Sequence, residues 1–200
     1  MSEKDPRPRV AVCIPNMGTV LSRTVMTLLG LMEEGRPFAH MIFMTVEGCY
    51  VHSSRIELVQ QAIEHGADYV FFVDADVTFP PETLEHLLAL DKDVVGAQYN
   101  MRRLPATSTV KTMDEHGTPT AMNRIPTELF KAYAVPTGCV LIKTSVFEKI
   151  PRPWFFFKHK EDGSIEVGED VWFCQRVREA GYDVWCDPTV PVQHHGLFAY

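Results

Sequence analysis

The sequence lacks several features that would place it in common functional classes. It has no apolar run of the roughly 20 residues that a membrane-spanning helix needs, so we expect a soluble chain. It has no glycine-rich phosphate loop, because residues 16–18 match neither GxGxxG nor GxxxxGK followed by Ser or Thr. It also shows no internal repeat. Classical dinucleotide enzymes and P-loop nucleotidases are therefore not indicated.

Cysteine is scarce, and its spacing indicates no paired site. The five cysteines are odd in number and contain no CxxC pair, which argues against a disulfide framework and against a zinc site. We expect buried free thiols in a reducing environment, and hence a cytoplasmic protein.

Length and charge restrict the choice further. Two hundred residues with 46% hydrophobic content suit one well-buried domain. The net charge of −7 argues against a general nucleic-acid binder, but the charges are unevenly distributed. Between Ala97 and Lys160 there are ten Lys or Arg residues and four Asp or Glu residues. This segment is either an ordinary solvated surface or a basic surface that faces an anionic ligand.

The first half of the chain alternates between strand and helix patterns. Apolar strand segments are followed by periodic helical segments, and Ser53-Ser54 is predicted to cap the second helix. The predicted strands are 9–14, 39–46, 69–73 and 93–97, and the predicted helices are 20–33, 55–63 and 81–90. Regular alternation predicts an α/β fold with a mainly parallel central sheet flanked by helices.

The second half contains more loops. Residues 100–133 show no clear period and are predicted to form an irregular or β-ribbon insertion. Further elements are predicted at 137–143 (strand), 145–149 (helix), 169–180 (helix), 183–186 (strand) and 190–195 (terminal segment), with an aromatic run from Trp154 to Phe157 in the loop 151–167. We therefore expect a single domain, with a nucleotide-binding half (1–97) and a smaller second half (98–200).

The third predicted strand ends in two carboxylates, Asp74 and Asp76, which are separated by Ala75. The run Tyr69 to Val73 has the apolar density of a strand buried on both faces, and charges at its end require something that binds them. On an ideal strand the two carboxylates share one face. Carboxylate oxygens suit Mn²⁺ or Mg²⁺, so a divalent-cation site is predicted here.

A second acidic pair, Glu169 and Asp170, begins the predicted helix 169–180. Acids in a first helical turn are favoured by the helix dipole, which accounts for one of them without a function. A carboxylate delivered there by a long loop is also suited to act as a general base.

Other polar residues stand close to strand ends. Pro15, Asn16 and Arg55 are candidates for holding a nucleotide, and the Arg55 guanidinium suits either a phosphate or an aspartate of the cation site. His194 and His195 are adjacent near the end of the chain and point to opposite faces of a strand, so at most one of them faces a given metal. The residues alone do not decide between a metal ligand and a surface histidine.

Five stretches in this order resemble the metal-dependent glycosyltransferases of GT-A fold, particularly the family-2-like group and its small phage and bacterial relatives. The stretches are 12–16, 54–59, 72–76, 137–142, and 168–171 continued through Asp187-Pro188 to His194. The resemblance implies a single GT-A, Rossmann-like domain of 1–200, whose second half completes the metal site and binds the acceptor. It also implies a nucleotide-sugar donor, with a UDP-sugar favoured, and transfer to an acceptor hydroxyl.

The same resemblance assigns roles to individual residues. Asp76 and His194 would be ligands of Mn²⁺ or Mg²⁺, with His195 competing for the second role. Asp74 and Ala75 would lie against the sugar nucleotide and its metal, while Pro15, Asn16 and Arg55 would line the nucleotide pocket. In the acidic pair Glu169 and Asp170, one carboxylate would deprotonate the acceptor. The acceptor could be a glycan, a lipid-linked or protein hydroxyl, or a hydroxymethylated DNA base.

Two alternatives remain open at the level of sequence. Residues 73–78 also satisfy the opening motif of haloacid-dehalogenase phosphatases, in which Asp74 would be the nucleophile and Asp76 the acid. Two βα units precede this motif here, whereas in that family it lies on the first strand. The second alternative is a non-catalytic protein that binds sugars or nucleotides.

Overall fold

A computed structural model describes residues 5–196, which form five helices and thirteen strands. The helices are α1 (Ser22–Gly35), α2 (Val51–Glu64), α3 (Thr83–Ala89), α4 (Thr144–Lys149) and α5 (Glu169–Glu179). The strands are β1 (Arg9–Asn16), β2 (His40–Glu47), β3 (Tyr69–Val73), β4 (Val77–Thr78), β5 (Val94–Ala97), β6 (Lys111–Met113), β7 (Pro119–Ala121), β8 (Phe130–Lys131), β9 (Cys139–Lys143), β10 (Lys158–His159), β11 (Ile165–Val167), β12 (Trp185–Asp187) and β13 (Gln193–His194).

Seven strands form one central sheet in the order β2-β1-β3-β9-β5-β12-β8. Strands β1, β2, β3, β5 and β12 run in one direction, while β9 and β8 run against their neighbours. This arrangement confirms the predicted α/β fold, a single Rossmann-like domain with a mainly parallel sheet. The insertion of an antiparallel β9 between β3 and β5 was not predicted, because an apolar strand pattern carries no information about strand direction.

The core lies on both faces of the sheet. In β3, Val70 and Phe72 face one apolar cluster while Phe71 and Val73 face the other, and all four are fully buried. Helix α2 covers the first face, and α1 and α3 cover the second. Burial on both faces explains why β3 is continuously apolar instead of alternating with polar residues.

The edge at which the parallel strands end is the edge that carries polar side chains. Parallel pairing of β1 with β3 brings Asn16 and Asp74 to the same edge. Because β9 is antiparallel, it begins there instead of ending there, and Val73 pairs with Cys139. Gly138 therefore lies against Asp74, where a Cβ atom would stand 2.5 Å from Asp74 Oδ2. Only glycine permits this close approach.

The structure corrects two of the sequence predictions. Helix α2 begins at Val51 after Tyr50, so Ser53 and Ser54 lie inside the helix and do not cap it. Residues 100–133 contain the predicted ribbon, β6 paired with β7, but they also supply β8 at the edge of the main sheet. In the aromatic run of the loop 151–167, Trp154 and Phe155 are buried among core aromatic residues.

Two further expectations concern cysteines and membranes. All five cysteines are free thiols, four of them buried and Cys49 exposed. Within residues 5–196, no helix combines the length and the apolar character needed to cross a bilayer.

Candidate active site

A cavity of about 470 Å³ opens at the carboxyl edge of the sheet. It collects segments that are far apart in the chain: the end of β1, the start of α2, the β3–β4 junction, the start of α5 and the terminal ribbon. Nine of the site candidates singled out from the sequence line it, namely Pro15, Asn16, Arg55, Asp74, Ala75, Asp76, Glu169, His194 and His195. Asp170 is the predicted site residue that is not part of the lining.

Asp76 and His194 are brought together by a two-stranded ribbon. Strand β13 pairs antiparallel with β4, with His194 opposite Val77, and His194 Nε2 lies 3.5 Å from Asp76 Oδ1. The other ring nitrogen, Nδ1, lies 3.2 Å from the backbone carbonyl of Asn100. A carbonyl can only accept, so Nδ1 carries a proton and donates to it, which leaves Nε2 facing the Asp76 carboxylate. This outer hydrogen bond is the arrangement that orients metal-binding histidines.

His195 is turned away from this pair. Its Nδ1 lies 3.0 Å from Arg23 Nη1, and because a guanidinium only donates, Nδ1 must accept. Its Nε2–H then donates to the Thr78 hydroxyl at 2.8 Å. Burial and the charge of Arg23 lower the pKa of His195. Both ring nitrogens are thus engaged, and of the two histidines it is His194 whose Nε2 faces Asp76.

Asp74 lines the cavity, but its carboxylate is held from the interior side by Arg55. Arg55 Nη2 donates to Asp74 Oδ1 at 2.7 Å, and Arg55 Nη1 donates to the Thr137 carbonyl at 3.3 Å. The Arg55 side chain is 2% exposed and lies 5.1 Å from the centre of the Phe72 ring. Burial lowers the pKa of the guanidinium, but the Asp74 and Glu169 carboxylates outweigh it, so the pKa is raised. Of the two partners predicted for Arg55, the structure shows the aspartate.

The acidic pair opens helix α5. Glu169 Oε1 lies 3.7 Å from Arg55 Nε, a buried nitrogen for which the described residues offer no hydrogen-bond acceptor. Asp170 Oδ1 accepts a hydrogen bond from the Val171 backbone N–H at 2.7 Å. Burial raises the pKa of both carboxylates above the ordinary range, against the opposing effect of Arg55. Raised values of this kind suit groups that exchange protons near neutral pH.

Two residues of the site were missed by the sequence reasoning. Arg102 Nη1 pairs with Asp76 Oδ2 at 2.7 Å. Burial would raise the pKa of Asp76, but His194 and Arg102 lower it. The Tyr99 hydroxyl accepts from the Gly138 backbone N–H at 3.1 Å, and its ring packs edge-on against His194. Arg102 lies in the basic segment noted above, but no sequence pattern relates it to Asp76.

The carboxylate and imidazole groups of the cavity offer two candidate ligands for a metal ion. Across residues 5–196, no three His, Cys, Asp or Glu side chains are grouped closely enough to hold an ion. Asp76 and His194 are two candidate ligands, while Asp74 is held by Arg55. One carboxylate oxygen and one imidazole nitrogen suit Mn²⁺, whose remaining positions would need water or a ligand's oxygens. Of the three residues predicted at the metal site, Asp74, Asp76 and His194, the structure brings Asp76 and His194 to face each other.

Comparison with solved structures shows the fold and nothing finer. The crystal structure of A197 from STIV is similar over 94% of this chain and 85% of its own, with 20% identity and a TM-score of 0.64. HddC from Yersinia pseudotuberculosis aligns over 94% of this chain and 93% of its own, with 8% identity and a TM-score of 0.48. Neither protein-family models nor curated proteins matched the chain.

Proposed function

We propose that this protein is a glycosyltransferase that takes its sugar from a nucleotide-sugar donor, with a UDP-sugar favoured. The observation that carries the proposal is the meeting of Asp76 and His194 at a cavity that Glu169, the first residue of the acidic pair of α5, also lines. Sugar transfer requires two separate functions, compensation of charge on a departing diphosphate and removal of a proton from the acceptor. Asp76 and His194 are suited to the first function, and the acidic pair of α5 is suited to the second.

Asp76 and His194 are the residues that would hold a divalent cation. The Nδ1–H of His194 donates to the Asn100 carbonyl, which turns Nε2 toward Asp76, and the lowered pKa of Asp76 keeps that carboxylate in the ionised form that a metal requires. When bound, Mn²⁺ or Mg²⁺ supplies Lewis-acid compensation for the charge of the leaving diphosphate.

Pro15, Asn16 and Ala75 form the part of the cavity that we assign to the nucleotide. The Asn16 side chain donates to the Thr45 hydroxyl at 2.7 Å and accepts from the Gly18 N–H at 2.8 Å. These bonds shape the turn after β1, so that its backbone borders the cavity. A volume of about 470 Å³ lies within the range of pockets that hold small ligands.

Of the acidic pair, we assign Asp170 as the general base. Glu169 borders the donor cavity and is paired with Arg55, and a carboxylate compensated by a guanidinium is a weaker base. The base acts on the acceptor, so it need not line the donor cavity. Glu169 is then a positioning residue that lies against Nε of Arg55, while Asp74 accepts from Nη2.

The proposal is tested by titrating UDP into the protein with and without Mn²⁺, together with an assay of UDP-sugar hydrolysis. We expect Mn²⁺ to strengthen UDP binding. In the presence of Mn²⁺, Asp76→Asn should weaken UDP binding at least about tenfold. Asp183→Asn removes an equal charge from an exposed pair with Lys131 outside the cavity, and should bind as the parent does.

Two results would contradict the proposal. One is UDP affinity that is indifferent to both Mn²⁺ and Asp76→Asn. The other is turnover of a simple phosphate ester that disappears in Asp74→Asn, which would favour the phosphatase alternative. If UDP binds but no nucleotide sugar turns over with any glycan, lipid-linked, protein or modified-DNA acceptor, the non-catalytic alternative is favoured.

A further inference from the structure

Arg102 forms an ion pair with Asp76, the carboxylate that we assign to the divalent cation. Its guanidinium Nη1 lies 2.7 Å from Asp76 Oδ2, and Asp76 Oδ1 faces His194. A cationic group therefore already lies beside one of the two candidate metal ligands. A guanidinium is charged throughout the physiological pH range, so this compensation does not depend on protonation.

The loop that carries Arg102 is held in place. Residues 100–108 close on themselves through a bridge between Asn100 and Ser108, and Met101 N donates to Thr107 O at 2.8 Å. The Asn100 carbonyl also accepts from His194. The loop is thus anchored to the same ribbon that positions the metal ligand, which makes the approach of Arg102 to Asp76 a built feature of the site.

The Arg102 side chain has a second place available. It is 51% exposed, and it lines both the donor cavity and an adjoining cavity of about 470 Å³ formed by the 101–106 loop with His194 and Gly196. Among the described residues that line the adjoining cavity there is no carboxylate, and Arg103 contributes a second positive charge. A guanidinium released from Asp76 could therefore turn into this space without rearrangement of the sheet.

We propose that Arg102 neutralises Asp76 in the cation-free protein and competes with the divalent cation for this carboxylate. The inference rests on the proposed function, because it assumes that the cation binds at Asp76. Arg102 thereby sets the cation concentration at which the site fills. It also compensates the negative charge of Asp76 beside the donor cavity when no cation is bound.

The decisive measurement is the affinity for Mn²⁺, followed by electron paramagnetic resonance of the free ion. Arg102→Gln should bind Mn²⁺ about three- to fivefold more tightly than the parent, since a half-exposed ion pair no longer has to be broken. Arg103→Gln is the matched control. It removes the same charge from the same loop, and no described carboxylate lies within ion-pair distance of Arg103, so its affinity should stay within about twofold of the parent.

A second measurement follows the arginine directly. In protein labelled with ¹⁵N-arginine, the Arg102 side-chain resonance is identified by its loss in Arg102→Gln. Titration with diamagnetic Mg²⁺ should shift this resonance toward that of a solvated guanidinium. In Asp76→Asn the resonance should begin near that position and no longer respond.

The outcomes separate this inference from the proposed function. If Mn²⁺ binds the parent and Arg102→Gln equally, and Asp76→Asn abolishes binding to both, the metal site stands and the competition is overturned. Weaker binding by Arg102→Gln also overturns it, because the arginine would then support the cation. If no form binds Mn²⁺, the metal part of the proposed function falls, and this inference falls with it.

Discussion

Arg55 joins the two acidic parts of the cavity. One guanidinium donates to Asp74 at 2.7 Å and lies 3.7 Å from Glu169, while its plane rests near Phe72. A buried charge of this kind is tolerated only when it is paired, and here its partners come from two different parts of the chain. The side chain therefore fixes the distance between the end of β3 and the start of α5, which the proposed mechanism needs to be constant.

The acidic pair provides a test at the scale of single residues. Asp170→Asn should lower sugar transfer by at least about 100-fold, because the base is removed, while UDP affinity stays within about twofold. Glu169→Gln should weaken UDP binding as well, since Glu169 borders the donor cavity and holds Arg55. Steady-state kinetics with donor titrations distinguish the two. Equal loss of transfer with unchanged UDP affinity in both variants would contradict the division of roles.

At the scale of elements, the direction of β9 determines the shape of the site. An antiparallel strand between β3 and β5 brings its first residues, not its last, to the edge where the parallel strands end. Gly138 is therefore packed between the Asp74 carboxylate and the Tyr99 hydroxyl, and it accepts from the Asp74 backbone N–H at 3.0 Å. The strand thus fixes the backbone of Asp74 and limits the space around its side chain.

We expect Gly138→Ala to cost about 1–3 kcal/mol of unfolding free energy, because the methyl group would overlap both Asp74 and Tyr99. Urea unfolding measures this cost. Gly48→Ala is the comparison variant. Its methyl group would meet only the Ser54 hydroxyl, at 2.9 Å, and that hydroxyl can rotate, so the loss should be smaller. A larger loss in Gly48→Ala than in Gly138→Ala would contradict the packing argument.

At the scale of the whole molecule, buried carboxylates of two kinds act on stability in opposite directions. Asp187 is buried, but it accepts hydrogen bonds from the Thr189 N–H at 2.8 Å and the Thr189 hydroxyl at 2.7 Å, and pairs with His86. Burial alone would raise its pKa, but these partners lower it. The α5 pair has no such surplus of donors, and burial raises the pKa of both groups. Asp187 therefore stabilises the fold, while the charged forms of Glu169 and Asp170 lower its stability at the proposed site.

The directions of these pKa shifts predict how the stability of the protein depends on pH. A lowered pKa contributes stability above the unfolded value of about 4, and that stability is lost as the pH falls through the folded pKa. A raised pKa acts in the opposite sense, since stability is lost as the pH rises from the unfolded value through the folded one. At pH 8, Asp187→Asn should therefore lower the melting temperature, and Asp170→Asn should raise it by about 2–4 °C.

The Asp170→Asn difference should shrink when thermal unfolding is repeated at pH 4, close to the unfolded pKa, whereas the Asp187→Asn difference should shrink only below about pH 4, as the pH falls toward the lowered pKa of the folded state. Asp183→Asn, which alters only an exposed pair, should show little change at either pH. An Asp170→Asn protein less stable than the parent at pH 8 would contradict the assignment of an unfavourably buried charge.

The sequence alone determined the parts of this protein that depend on local pattern. Strand β3 was predicted from Tyr69 to Val73 as observed, because a strand buried on both faces must be continuously apolar. The positions of the other main helices and strands of the first half followed from periodicity and turn residues to within a few residues. The candidate site residues were recognisable because charges and histidines at strand ends are costly unless something binds them.

Only the tertiary structure decided which of these residues meet, and how. The direction of β9, the choice of His194 over His195 to face Asp76, and the inward turn of Arg55 depend on pairings between segments about 20 to 120 residues apart. The contact of Arg102 with Asp76 belongs to the same class. A sequence pattern reports how each residue relates to its near neighbours and to water. The partner of a charge is chosen by the packing of the whole chain, which no local pattern contains.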